Sequence, residues 1–107
     1  MDIKGYNLDI NWSKQNRHLL GTTEYIHGRS VLTADPEMLL ARYLGFGEPI
    51  VVNGVWIGKE RFTHTDFIGE WKSKDGNASE STKNGVIHYS KLNGVHIVPA
   101  LPYKKSI

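Results

Sequence analysis

Two short stretches of alternating side chains around a turn constrain this fold more than any other part of the sequence. The segment GVIHYSKLNGVHIVPA, residues 85–100, alternates apolar and polar positions on both sides of Asn93-Gly94. This pattern is typical of a β-hairpin. Alternation places His88 and Ser90 on one face of the first predicted strand, and the second strand carries His96.

The loop length decides whether the two histidines share a face. With a two-residue loop, Asn93-Gly94, His88 and His96 would point to opposite faces of the sheet. With a three-residue loop, residues 92–94, Ser90 would oppose His96, and His88, Ser90 and His96 would lie on one face. We favour the longer loop because it also collects the apolar residues on the other face, and a one-residue slip would break that sorting.

Helical patterns occur early in the chain. The segment NWSKQNRHLLG predicts a short helix that Asn11 caps and Gly21 ends. The segment TADPEMLLARYLGFG predicts a second helix, with Asp35 at its N-cap, a proline at its first position and Gly45 at its end.

Strand patterns follow the helices. PIVVNGVWIGKERFTHTDFIGEW is rich in β-branched and aromatic residues and contains the hairpin signal Asn53-Gly54. KSKDGNASESTKNG is polar and predicts an exposed loop, and YKKSI forms a basic tail. The order, helices first and strands later, predicts an α+β domain built on an antiparallel sheet.

Size and composition predict one globular domain over residues 1–107. The 107 residues are 39% hydrophobic and 22% charged, as in folded globular proteins. No apolar run approaches the roughly 20 residues that span a bilayer, and MDIKGYNLDINWSK lacks the apolar core of a signal peptide. We therefore expect no membrane segment, and any export would need a carrier. The absence of cysteine excludes disulfides and thiolate metal sites.

Three interpretations of the paired histidines remain open from the residues alone. They could simply line a half-exposed sheet face, or they could hold zinc, although no spacing typical of zinc ligands such as HExxH is present. They could instead perform metal-free acid–base chemistry, because the ordinary pKa of histidine, about 6.5, lies near neutrality. The net charge of +2 permits a nucleic-acid partner without requiring one.

Three segments taken together resemble a known family. They are INWSKQNRHLLGTTEYIHGRSVLTADPEMLLARYLGFG, KERFTHTDFIGEW and TKNGVIHYSKLNGVHIVPALP. Their motifs, in this order, are similar to the type 50 polymorphic toxin domain of bacteria. The resemblance implies a predicted ribonuclease module at the C-terminus of a larger secreted or prophage-encoded protein. It also implies the fold group of barnase, EndoU, the tRNase colicins and RelE, in which N-terminal helices pack on a four-stranded antiparallel β-sheet.

The motifs of the resemblance supply candidate site residues. The candidate catalytic residues are His18, His88, His96, Arg61, Lys59, Ser90 and Thr82. The candidate substrate-binding residues are Lys14, Arg29, Ser30, Lys91 and Tyr89. Gln15 also matches a family motif, without a role. Neither a metal nor a cofactor is expected.

These residues suit metal-free cleavage of RNA. A base deprotonates the ribose 2′-OH, which attacks the phosphate and leaves a 2′,3′-cyclic phosphate, while an acid protonates the leaving oxygen and cations stabilise the charge. We expect His18 and His88 to contribute more than His96, which adjoins the turn. The expected substrate is RNA, tRNA being one candidate, and the alternatives are a metal-dependent DNase or a non-catalytic RNA-binding or phage structural module.

The resemblance also predicts a biological setting. The domain would be a monomer that is delivered or secreted as part of a larger protein and acts in the cytoplasm of a target bacterium. A cognate immunity protein, expected to be acidic because the cleft is basic, would protect the producer. Outside the motifs, we expect His27 and His64 to be ordinary surface or loop residues, and Trp12, Trp56 and Trp71 to belong to the core.

Overall fold

The computed structural model describes residues 1–102 and has the predicted α+β class, but a short strand lies between the two helices, so the expected order of helices first and strands later is wrong at that point. Its helical elements are α1, Trp12–Gln15, a 3-10 turn, Asn16–His18, and α2, Pro36–Tyr43. Its strands are β1, Val31–Leu32, β2, Glu48–Val52, β3, Val55–Thr63, β4, Gly69–Lys72, β5, Ser79–Thr82, β6, Asn84–Ser90, and β7, Gly94–Pro99. The predicted basic tail, YKKSI, lies outside the described residues. Within residues 1–102, no helix is long and apolar enough to cross a membrane.

The strands form two antiparallel sheets, which corrects the expectation that helices pack on one four-stranded sheet. The four-stranded sheet has the order β2-β3-β6-β7, and a second sheet has the order β1-β4-β5. Strand β5 falls inside the segment that was predicted to be an exposed loop. All four residues of β5 are polar, and three of them are exposed. The strand therefore lacks the alternation of apolar and polar residues by which strands are recognised in a sequence.

The first helix is shorter than predicted. Asn11 caps it as expected, accepting a hydrogen bond from the Lys14 N–H at 3.2 Å. After Gln15 the chain tightens into the 3-10 turn, and the Thr22 hydroxyl donates to the carbonyls of Asn16 at 2.7 Å and Leu19 at 2.8 Å. These bonds satisfy carbonyl groups that a longer helix would have used, so the helix stops before Gly21.

The second helix and the Asn53-Gly54 turn match the sequence prediction. Asp35 accepts from the Glu37 N–H at 3.0 Å, and the helix covers Pro36–Tyr43. Asn53 and Gly54 have positive φ angles of 51° and 76°, as the tight turn between β2 and β3 requires. The buried core joins α2 to the four-stranded sheet and consists of Leu32, Leu39, Leu40, Phe62, Ile68, Ile87, Val95 and Ile97.

The β6–β7 hairpin has the predicted faces but a different register. His88 pairs directly with His96, and Ser90 pairs with Gly94, so the loop is residues 91–93. The expected pairing of Ser90 with His96 is therefore wrong by two residues. Because side chains alternate with a period of two, this shift still leaves His88, Ser90 and His96 on one face.

A contact with the N-terminal segment fixes the position of Gly94. Gly94 has a φ of +96°, and a side chain there would overlap the carbonyl oxygen of Asp9. Asp9 accepts from the Val95 N–H at 2.8 Å, and the Asn11 N–H donates to the Val95 carbonyl at 2.8 Å. The segment before α1 thus pairs with the outer edge of β7.

Gln15 continues this pairing along the edge strand. Its side chain is completely buried, and its amide forms two hydrogen bonds with Ile97: the Ile97 N–H donates to Oε1 at 2.7 Å, and Nε2 donates to the Ile97 carbonyl at 3.0 Å. The side chain therefore takes the place of a neighbouring strand. This covers an edge that would otherwise expose unpaired backbone groups, and it fixes α1 beside β7.

Replacing Gln15 with methionine should destabilise the fold. Gln15→Met keeps a similar volume but leaves the buried N–H and carbonyl of Ile97 without partners, which should cost about 2–5 kcal/mol in the free energy of unfolding. Urea denaturation followed by circular dichroism measures the loss. The control is Ser13→Ala on the exposed side of α1, where the change should stay within about 0.5 kcal/mol. Equal stability of both variants would contradict this role of Gln15.

Candidate active site

Three histidines from opposite ends of the chain converge on one face of the four-stranded sheet. The ring of His96 lies between the other two. Its centroid is 4.7 Å from that of His88 and 6.3 Å from that of His18, and the His18 and His96 rings are nearly parallel, at 14°. We call His18, His88 and His96 the histidine cluster.

A hydrogen bond fixes the orientation and tautomer of His18. Its Nδ1 lies 2.9 Å from the carbonyl oxygen of Ser30. A carbonyl can only accept, so Nδ1 carries the proton and Nε2 of the neutral ring keeps a free lone pair. Ser30 is itself held by Lys72, whose backbone N–H donates to the Ser30 hydroxyl at 2.9 Å. Ser30 therefore orients a histidine through its backbone.

All three histidines are neutral near pH 7. The pKa of His88 is lowered to about 4, mainly by burial and to a smaller extent by the neighbouring Lys59, His18 and Lys14. Burial also lowers the pKa of His96 to about 3, with contributions from His88 and His18. Burial lowers the pKa of His18 as well, although its hydrogen bond to Ser30 acts in the opposite direction.

Two lysines flank the histidine cluster. Lys59 of β3 pairs with His88 across the sheet, which places its side chain on the same face. Lys14 of α1 lines a small pocket together with His88, Ser90 and His96. Lys14 and His18 lie four residues apart, Lys14 on α1 and His18 at the end of the 3-10 turn that follows it.

A larger cleft of about 690 Å³ opens beside the cluster, and His18 lines both. Arg29, Ser30 and Arg61 of the candidate residues line it as well. Arg61 also donates from Nη2 to the carbonyl of Leu101 at 2.7 Å. The structure therefore brings most of the candidate residues to two adjoining concavities.

Thr82 and Lys91 lie elsewhere, and Tyr89 contributes to the lining of the small pocket but directs its hydroxyl away from it. Thr82 is completely buried, and its hydroxyl accepts from the Asn84 N–H at 3.0 Å, so it supports the turn between β5 and β6. The Tyr89 hydroxyl donates to Glu60 on the opposite face, where burial and Glu60 raise the pKa of the phenol. The Lys91 ammonium lies 5.5 Å from the ring centroid of Tyr6, near the turn.

Glu60 points away from the site, as its position between Lys59 and Arg61 requires. It is completely buried and accepts from the N–H groups of Gly45 at 2.6 Å and Gly47 at 2.8 Å. These backbone donors and the Tyr89 hydroxyl satisfy the buried carboxylate. Glu60 thus holds the turn that follows α2.

The remaining histidines and tryptophans correct several expectations. His64 lies in the loop after β3, as expected, but it is buried rather than at the surface, and its Nδ1 lies 2.6 Å from the hydroxyl of Tyr43. His27 is exposed and lines the larger cleft. None of the tryptophans is in the buried core: Trp12 is 45% exposed, and Trp71 lines the cleft. Within residues 1–102, no group of three or more histidine and acidic side chains is arranged to hold a metal ion.

The fold and the cluster together define a small α+β domain with a histidine-centred, basic site. The chain belongs to the bacterial toxin 50 family, whose model matches residues 10–99. This confirms the resemblance to a polymorphic toxin domain. Membership assigns the chain to a class of toxins, and a toxin domain implies delivery into target cells. No curated protein matches the chain.

The lowered pKa values predict that acid destabilises the protein. As pH falls below about 6.5, the histidines of the unfolded chain become protonated. The same histidines in the folded cluster stay neutral until the pH approaches their own, lower pKa values. Stability should therefore decrease from pH 6.5 to pH 5, with a slope of at most about 1.4 kcal/mol per pH unit for each group. Urea titrations at several pH values measure this slope.

His96→Gln should make the dependence of stability on pH shallower between pH 6.5 and pH 5, because the unfolded variant has one histidine fewer to protonate. Carboxylates titrate mainly below this range, so comparing the variant with the wild type isolates the histidine. An unchanged slope in His96→Gln would mean that the histidine is not held neutral by the fold.

Proposed function

We propose that this domain is a metal-independent endoribonuclease toxin that cleaves RNA through attack of the 2′-OH. The observation that supports it best is the row of three neutral histidines with Lys14 and Lys59 beside it. A neutral imidazole can accept a proton, and lysine charges attract and stabilise a phosphate. Family membership supports the toxin function, while the reaction is our inference from the site.

His18 is the general base in this proposal. Its Nδ1–H is engaged by the Ser30 carbonyl, so Nε2 is available to take the proton of the 2′-OH. The 2′-oxygen then forms a bond to phosphorus, and the bond from phosphorus to the 5′-oxygen breaks. The products are a 2′,3′-cyclic phosphate and a 5′-hydroxyl end, and the 5′-oxygen needs one proton.

His88 supplies that proton. In the free protein the charges of Lys59 and Lys14 contribute to its low pKa. A bound phosphate brings negative charge to the same place and raises the pKa of His88, so that the imidazolium forms where the leaving group needs it. His96, between the other two rings, holds them apart and stabilises the charge as it moves.

In this proposal His96 contributes less than His18 and His88 because it neither takes nor gives the proton of the reaction. It was expected to contribute less because solvent near the turn could replace it. In the fold His96 is half-buried between the rings of His18 and His88.

The setting of the domain is part of the proposal. We propose that it is the C-terminal module of a larger delivered or secreted protein, that it acts as a monomer in the cytoplasm of a target bacterium, and that an acidic immunity protein binds it. The lysines beside the cluster and the arginines of the cleft support an acidic partner by charge complementarity.

Tightly controlled expression of the domain alone should arrest growth and fragment total RNA. With purified protein, cleavage should persist in EDTA, leave 2′,3′-cyclic phosphate and 5′-hydroxyl ends, and fail on a substrate with 2′-deoxyribose at the cut site. RNA sequencing with end-group analysis measures this. Loss of activity in EDTA with rescue by Mg²⁺ would favour a metal-dependent nuclease, and RNA binding without cleavage would favour a non-catalytic module.

Single substitutions in the cluster should separate the roles. His18→Ala and His88→Ala should each lower the single-turnover rate by roughly 10²- to 10⁴-fold, the usual range for general acid–base catalysis. His64→Gln is the matched control, since His64 is a buried histidine that contacts Tyr43 rather than the cluster. In the folded control the rate should stay near that of the wild type. Full activity in both cluster variants would rule out this mechanism.

A further inference from the structure

The larger cleft is more basic than the chain as a whole. Its lining includes the cations Arg29, Arg61, Lys72 and Lys74 and one carboxylate, Asp75. Asp75 is engaged within its own turn, where it accepts from the Ser73 hydroxyl at 2.6 Å and the Asn77 N–H at 2.9 Å. The cleft therefore presents a net positive lining to an anionic ligand.

Trp71 adds an aromatic surface to this basic lining. It lies on β4 next to Glu70, whose carboxylate accepts from Ser79 on the opposite face of the strand. Alternation turns Trp71 to the other side, and there it lines the cleft. Basic grooves with aromatic side chains are the usual means of binding single-stranded nucleic acid, because any unpaired base can stack on the ring.

The position and size of the cleft suit a nucleotide next to the cut. Its volume of about 690 Å³ falls within the usual range of roughly 300–1,000 Å³ for small-ligand sites. We propose that this cleft is a binding subsite for an unpaired nucleotide of the RNA, with its base against Trp71 and its phosphate near Arg29 and Lys74. A base inside a duplex is stacked on its neighbours and cannot reach the ring, so the substrate class is single-stranded RNA or an RNA loop.

His18 connects the subsite to the reaction. It lines the cleft and belongs to the histidine cluster, so RNA seated on Trp71 passes directly to the proposed base. The inference rests on the proposed function for its substrate but makes a separate statement about binding. Binding can be measured with RNA that has no reactive 2′-OH.

The test uses a short, fully 2′-O-methylated single-stranded RNA and fluorescence anisotropy with the full chain. Trp71→Leu should raise Kd by about 5- to 150-fold, the range for loss of one stacked base, and Trp71→Phe should restore most of the affinity. Lys74→Gln should reduce the slope of log K against log salt by about 0.7, as expected for one lost phosphate contact on a single strand. Lys4→Gln, an equal charge change on an exposed residue outside the cleft, should leave the slope unchanged.

The outcomes distinguish this inference from the proposed function. Unchanged Kd in Trp71→Leu, together with normal RNA cleavage by the wild type, would overturn the subsite and leave the ribonuclease standing. Affinity that depends on Trp71 in a protein that does not cleave RNA would support the subsite and overturn the ribonuclease. Competition by duplex RNA or polyglutamate as strong as by single-stranded RNA would show a general anion surface, as for an acidic protein partner, and would also overturn it.

Discussion

Two hydrogen bonds between the side-chain amide of Gln15 and the backbone of Ile97 determine where the candidate functional groups of this domain lie. They place α1 beside the outer edge of β7, and the 3-10 turn that follows then carries His18 to the ring of His96. The contact of Asp9 with Gly94 extends the same edge. The site therefore depends on how the edge of β7 is covered. His18 comes from the segment that covers this edge, and His88 and His96 come from the β6–β7 hairpin.

Alternation along β3 serves the core and the site at once. Glu60 turns inward and accepts hydrogen bonds from the turn after α2, whereas Lys59 and Arg61 turn toward the histidine face. A buried carboxylate is tolerated here because backbone donors and Tyr89 satisfy it. Burial of the histidines as neutral rings likewise avoids the cost of burying charge, and the positive charges stay at the rim, where water still reaches them.

The shared face of His88 and His96 was predictable because a three-residue loop, favoured by the sorting of apolar residues, combines with a period of two along the strands to give it. Their register was not predictable, since Gly94 is positioned by Asp9, which is far away in the sequence.

Other features of the fold also depend on contacts that a local pattern does not show. The length of α1 depends on hydrogen bonds of Thr22, and β5 lacks the apolar alternation that would reveal a strand. The family motifs identified Arg29 and Arg61 as candidates. The cleft that they share with Trp71 is formed by loops and strand ends, and no local sequence pattern indicates that these segments lie close together. Gln15 matched a motif, yet its role appears only with its partner 82 residues away.

This long separation has a consequence for when the site exists. A ribosome makes the chain from the N-terminus, so Lys14 and His18 are made early, whereas their neighbour His96 is made only with β7. Contacts between such distant residues form late in folding, because a long loop must close before they are gained. Nearly all of residues 1–97 must therefore be made before the cluster can assemble. Removing either the segment around α1 or strand β7 from the fold therefore takes the cluster apart, because each supplies one of its members.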